Sequence, residues 1–135
     1  MIAVDSSVLI DVLIGDATFG EASEACIGEA LESEDVVVCD AVVAEVQAML
    51  DSSVSLIDTL APLGVRYLPT QEAAAMRAGH MNKRFRARGG KRERVVADFL
   101  IGAHALLQCG GLITRDDGFF RDYFKGLKLI VPRAS

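Results

Sequence analysis

Three short runs, "IAV" (2–4), "VVVC" (36–39) and "LIT" (112–114), constrain the fold most. All are apolar without alternation. A strand with one face in water alternates apolar and polar residues, so strands built from these runs are covered on both faces. Helical periodicity fills the chain between them. After "MIAV", Ser6 or Ser7 is placed to cap a helix over "VLIDVLIG", which Gly15 stops. Residues 18–33 read as an amphipathic helix with Ala22, Ala25, Cys26, Ala30 and Leu31 on its apolar face. Asp40 reads as the N-cap of a helix over 41–50, and a short helix follows at 53–61. "VRYL" (65–68) is a weaker strand, and a long helix spans 71–87. Gly89-Gly90 marks a loop, and the next helix, 93–108, closes at Gly110-Gly111. "LIT" precedes a short helix at 117–124, and "LKLIV" is the last strand, stopped by Pro132. Strands that alternate with helices in this way predict an α/β fold around a parallel sheet. At 135 residues the chain is expected to form one domain, 1–135.

Aromatic residues are only 6% of the chain and Trp is absent, so the core must be built largely from Ala, Val, Leu and Ile. Cys26, Cys39 and Cys109 are odd in number and far apart, without a C-x-x-C. They read as small buried hydrophobes in a reducing cytoplasm. The N-terminal stretch lacks a basic region and is interrupted by Asp5 and Asp11, so it does not read as a signal peptide. No run reaches the roughly 20 apolar residues of a membrane span.

A net charge of −5 argues against a generic nucleic-acid binder, but the charge is unevenly spread. Residues 83–94, "KRFRARGGKRER", hold seven basic residues and one acid, against seven and eighteen elsewhere. Such a segment is either a solvated helix end or a local patch for phosphates.

Open α/β sheets bind ligands beyond the carboxyl ends of their strands. Asp5 follows the first strand there, and Asp116 or Asp117 follows the fourth. Two more acids stand in apolar helices, Glu45 in "AVVAEVQAML" and Asp98 in "RVVADFLIGAHALL". Glu45 has no Lys or Arg one turn away, whereas Arg94 is placed to pair with Asp98. Each acid alone has a bland reading as a cap, a turn or an exposed helix position. Together they suggest one carboxylate cluster. At about 5 Å and an effective dielectric of about 20, each like-charged pair costs roughly 3 kcal/mol. Such a cluster needs protons or a cation, and Mg²⁺ or Mn²⁺ suits oxygen donors. The histidines do not read as catalysts. His104 faces away from Asp98 on its helix, while Gly102 shares the Asp98 side and leaves room for a backbone or ligand.

Four segments, "IAVDSSVLIDVL", "AVVAEV", "RVVADFLIGAHAL" and "LITRDDGFFRDYF" with "LKLIVP", resemble in order and spacing a PIN-domain ribonuclease, more narrowly a VapC-type toxin. The resemblance covers nearly the whole chain. It implies a five-stranded parallel sheet in an α/β/α sandwich. It also implies a metal site of Asp5, Glu45, Asp98 and Asp116, the last chosen because Thr114-Arg115-Asp116 matches a Thr-x-Asp pattern. Ser6, Ser7 and Thr114 would support these ligands, and Asp117 would cap or begin the next helix or hold a metal-bound water. One or two Mg²⁺ or Mn²⁺ ions, cleavage of RNA to 3′-hydroxyl and 5′-phosphate ends, a homodimer and an inhibiting antitoxin are further implications. Lys83, Arg84, Arg86, Arg88, Lys91, Arg92 and Arg94 would then hold RNA backbone beside the metal.

Competing readings fit less well. A receiver or dehalogenase-like phosphoryl-transfer domain also places an Asp after strand 1. The dehalogenase type needs a second Asp two residues later, where Ser7 stands, and a receiver needs an acid pair that "IAVDSSV" lacks. A non-catalytic RNA-binding module would use the basic segment but has no need of four acids.

Overall fold

The computed structural model describes residues 1–90 and 96–134. Five parallel strands form one sheet: β1 (Ile2–Val4), β2 (Val36–Val38), β3 (Val65–Tyr67), β4 (Gly111–Ile113) and β5 (Leu129–Ile130), in the order β3-β2-β1-β4-β5. The fully apolar runs form the three inner strands, and every residue of them is buried. The weaker candidate, "VRYL", and the last strand lie at the edges: β3 exposes Arg66 and Tyr67, and β5 is half-buried. The expected parallel α/β fold is therefore the one formed.

Among the described residues, seven α-helices connect and cover the sheet: α1 (Ser6–Ile14), α2 (Gly20–Ser33), α3 (Asp40–Gln47), α4 (Leu56–Leu60), α5 (Glu72–Ala87), α6 (Val96–Gln108) and α7 (Asp117–Tyr123). Gly15 ends α1 in the left-handed conformation at φ 64°, a geometry glycine adopts without penalty. A 3-10 turn, Ala61–Leu63, follows α4. Phe99, Phe119, Phe120 and Phe124 are buried among the small aliphatic side chains. Each fully buried ring stabilises the fold by about 2 kcal/mol or more. The α2 face differs from expectation, because Ser23 is buried while Ala25 is exposed.

Three local expectations are corrected. Neither Ser6 nor Ser7 caps α1; Asp5 does, accepting the Ser6 amide at 2.8 Å. Asp40 does not cap α3, whose N-cap is Cys39. Its carboxylate instead takes the amide and hydroxyl of Thr70, at 2.8 and 2.5 Å. Burial works against the Asp40 charge, but those two bonds outweigh it and hold the carboxyl below its ordinary range. Gly102 leaves no opening for a ligand, because the Phe124 ring occupies the space a side chain would need.

The three cysteines are free, and burial pushes their thiols up, Cys109 to about 11. Among the described residues, no helix is long and apolar enough to cross a membrane.

Candidate metal centre

Strands β1 and β4 pair with Val4 opposite Ile113, so the residues that follow each strand emerge side by side. The Asp5 amide donates to the Ile113 carbonyl at 2.9 Å and carries the ladder one step past the strand. Asp5 is only 7% exposed. Its Oδ1 accepts the Ser6 amide, and its Oδ2 accepts the hydroxyls of Thr114 at 2.6 Å and Ser7 at 3.1 Å.

Two of these partners reach further acids. The Ser6 hydroxyl donates to Glu45 Oε1 at 2.7 Å, across the contact between α1 and α3. Glu45 is half-buried, as its apolar neighbours suggest. The Thr114 hydroxyl accepts the Asp116 amide at 2.9 Å. Thr114 thus joins the β4–α7 loop to Asp5 through one fully buried oxygen. Asp98 is half-buried in the first turn of α6, a helix that packs against α3, α5 and β1.

Burial is the chief reason the Asp5 carboxyl is raised above its ordinary value. The bonds from Thr114, Ser7 and Ser6 oppose that rise, and the negative charge of Glu45 adds to it. A buried anion held by three donors yet still disfavoured is suited to a nearby cation. Asp5, Glu45, Asp98 and Asp116 offer only oxygen, the donor type that hard divalent ions take. Among the described residues, no three acidic, histidine or cysteine side chains converge closely enough to hold one ion as they stand.

The two aspartates of "TRDDG" have different surroundings. Asp116 occupies the N-cap position of α7 without a side-chain capping bond. Asp117 begins the helix, as expected, and pairs with Arg121 one turn on at 3.1 Å. Lys83, Arg84, Arg86 and Arg88 are exposed at the end of α5. Lys91, Arg92 and Arg94, including the expected Arg94–Asp98 pair, lie outside the described residues.

One feature of the site escaped sequence reasoning. Asp11, 2% exposed, accepts Arg115 Nε at 2.5 Å and Nη2 at 2.9 Å, and the Ser23 hydroxyl at 3.0 Å. The Arg115 guanidinium also lies 4.3 Å from the centroid of the Phe19 ring. Thr114 and Asp116 flank Arg115, so this pair anchors their loop to α1 and α2. Asp11 is an acid in an apolar helix, the same signal that marks Glu45 and Asp98.

Known proteins agree with this architecture. The PIN domain family profile matches residues 2–125. Among solved structures, VapBC2 from Rickettsia felis bound to promoter DNA superposes with a TM-score of 0.73 at 14% identity, covering 97% of this chain and 98% of that one. FitAcB from Neisseria gonorrhoeae gives 0.69 at 23% identity, with 98% of both chains covered. VapC20 from Mycobacterium tuberculosis, described as a sarcin–ricin loop cleaving toxin, gives 0.62 at 17% identity over 95% of this chain and 99% of that one. No curated protein matches the sequence. With its profile match running from β1 through α7, the chain belongs to the PIN domain family.

Proposed function

We propose that this chain is a divalent-metal-dependent endoribonuclease, the VapC-type toxin of a toxin–antitoxin pair. The observation that carries the reading is the buried Asp5 carboxylate, joined through Ser6 to Glu45 and through Thr114 to the Asp116 amide. Asp5, Glu45, Asp98 and Asp116 are the proposed ligands for one or two Mg²⁺ or Mn²⁺ ions. When bound, such an ion supplies an activated water and offsets charge that builds on the scissile phosphate. Ser6, Ser7 and Thr114 orient the carboxylates by donating hydrogen bonds to them, and Asp117 holds the start of α7. The products are a 3′-hydroxyl and a 5′-phosphate. Lys83, Arg84, Arg86 and Arg88, with Lys91, Arg92 and Arg94, hold the RNA backbone.

An antitoxin partner is supported by structural neighbours described as toxin–antitoxin complexes, among them one from Klebsiella pneumoniae. An apolar groove between α1, α2 and α4, lined by Leu9, Val12, Leu13, Ile27, Leu31 and Leu60, suits an apolar helix of that partner. A homodimer in the cytoplasm completes the proposal, and the three free thiols accord with that compartment.

The test is RNA cleavage by purified protein with Mg²⁺ or Mn²⁺, beside Asp5→Asn and Glu45→Gln. Cleavage by the natural protein that both variants lose, with their folds intact, is the expected result. Undiminished cleavage by both variants would overturn the assignment. Mapping 5′ ends in cellular RNA after brief induction, with Asp5→Asn as control, identifies the substrate.

A further inference from the structure

We infer that the groove between α5 and α7 is a binding track for single-stranded RNA, in which Arg77, Arg84, Arg88 and Lys125 hold phosphates and the Tyr123 ring stacks a base. The inference deepens the proposed nuclease function and rests on it for the identity of the polymer. It adds residues on both sides of the basic segment 83–94.

The groove has a volume of about 360 Å³, and its lining includes those five residues and Phe85. Arg77, Arg84 and Arg88 recur at seven and four residues, which keeps them on one side of α5. All are exposed, as is Lys125 just past α7. None of the four forms an ion pair among the described residues, whereas Arg66, Arg115 and Arg121 each have a carboxylate partner. Asp122 is the acid that also lines the groove, and Lys125 stands one turn beyond it. On a chain of net charge −5, four unpaired cations around one concavity form a local site for a polyanion.

The aromatic floor distinguishes the groove from a solvated charged face. Phe85 and Tyr123 lie 5.7 Å apart between ring centroids. Both rings meet Phe99 edge to face, at 5.6 and 5.8 Å, and Tyr123 also meets Phe119 at 5.1 Å. These contacts fix Tyr123 while it remains 38% exposed, so its ring is held in place at the surface. A positively charged groove with a fixed aromatic platform is how proteins bind single strands without reading sequence.

The same rings connect the groove to the carboxylates. Phe99 directly follows Asp98, and Phe119 lies three residues after Asp116. From Asp116 to Tyr123 the helical rise is about 10 Å. That is roughly three stacked nucleotides at about 3.4 Å each. A strand entering beside Asp116 would meet Tyr123 within a few nucleotides.

The probe is a fluorescein-labelled single-stranded RNA of about a dozen nucleotides, a length within known single-strand site sizes. Binding to the full chain is measured by anisotropy in EDTA, where metal-dependent cleavage cannot interfere. Arg77→Glu and Lys125→Glu are each expected to weaken binding about fivefold to tenfold at about 0.1 M salt. Arg133→Glu makes the same charge change beside Ala17, Thr18 and Glu21, in a concavity that shares no residue with this groove, and should stay within about twofold because charges more than about 10 Å apart are largely screened at that salt. The chain has two tyrosines and no Trp, so its intrinsic fluorescence comes from Tyr67 and Tyr123. RNA should quench that emission in the natural protein. Tyr123→Phe should keep the affinity and lose most of the quenching, and Tyr123→Leu should lose about tenfold in affinity.

Equal weakening by Arg133→Glu and the groove variants would overturn the inference, as would quenching that survives Tyr123→Phe. So would a natural protein that fails to bind the probe, whatever its cleavage assay shows. A protein that binds in the groove but never cleaves would instead sink the nuclease reading and leave the groove standing.

Discussion

Arg115 and Asp11 stand 104 positions apart and meet as a two-point ion pair, Nε to Oδ2 and Nη2 to Oδ1. Asp11 is almost fully enclosed, and the Arg115 side chain is about a third exposed. Removing the cation leaves a buried carboxylate whose remaining partner among the described residues is Ser23. Arg115→Met should therefore destabilise the protein by about 3 kcal/mol in urea unfolding, less than a fully buried pair because Arg115 touches solvent. Asp11→Asn in the same chain should restore part of that loss. A double variant as unstable as the sum of the singles would show that the two residues are not coupled.

The bond from Thr114 to Asp5 supports a second expectation. Thr114→Val keeps the shape and removes both the donor to Asp5 and the acceptor of the Asp116 amide. Supporting hydrogen bonds of this kind commonly carry about 10- to 100-fold in metal affinity or activity. Mn²⁺ affinity measured by calorimetry should fall by that order in Thr114→Val and recover in Thr114→Ser. If the valine variant binds Mn²⁺ as tightly as the natural protein, Thr114 serves folding alone.

Much of this arrangement is legible in the sequence because the strands are short and buried on both faces. Apolar runs and helix periodicity together dictate a parallel sheet, and a parallel sheet dictates where Asp5 and Thr114 emerge. The individual acids stand out for a related reason: charge in an apolar helix is costly and needs a cause. The cause itself is not legible. Asp11 gives the same signal as Glu45 and Asp98, yet its partner is an arginine brought across the fold by β4. Glu45 reaches Ser6 across 39 positions through helix packing that no local pattern encodes. Caps were similarly ambiguous, since Asp5 and Ser6 are both good capping types and only the strand's exit decides between them.

His104 gives a pH dependence of stability. The residue is fully buried, with Nε2 bonded to the Leu68 carbonyl at 2.9 Å and Nδ1 without a partner. Burial lowers its pKa, while the Leu68 carbonyl and Asp40 work the other way. The folded imidazole therefore stays neutral where the unfolded one, near its ordinary value of about 6.5, takes a proton. Its contribution is complete above about pH 6.5 and declines as pH falls toward the folded pKa, by up to about 1.4 kcal/mol per pH unit. Urea unfolding at about pH 7.5 and about pH 5.5 should show the decline, and His104→Gln should flatten it. An unchanged slope in the glutamine variant would assign the dependence to other groups.

Asp116 and Asp117 should separate by function. Asp117 is paired with the exposed Arg121 along α7, a contact worth only about 0.3–0.5 kcal/mol. Asp117→Asn should therefore alter stability by no more than that and retain RNA cleavage. Asp116 stands at the N-cap position of α7 without a side-chain capping bond, and its amide is bound to the hydroxyl that also holds Asp5. Asp116→Asn keeps this backbone bond but removes one carboxylate charge from the proposed metal set. Cleavage should drop to background while circular dichroism shows the fold retained. Raised Mn²⁺ should recover part of the activity if the lost charge acts through the ion. The opposite pattern, with Asp117→Asn inactive and Asp116→Asn active, would reverse the two roles and move the ligand one residue into α7.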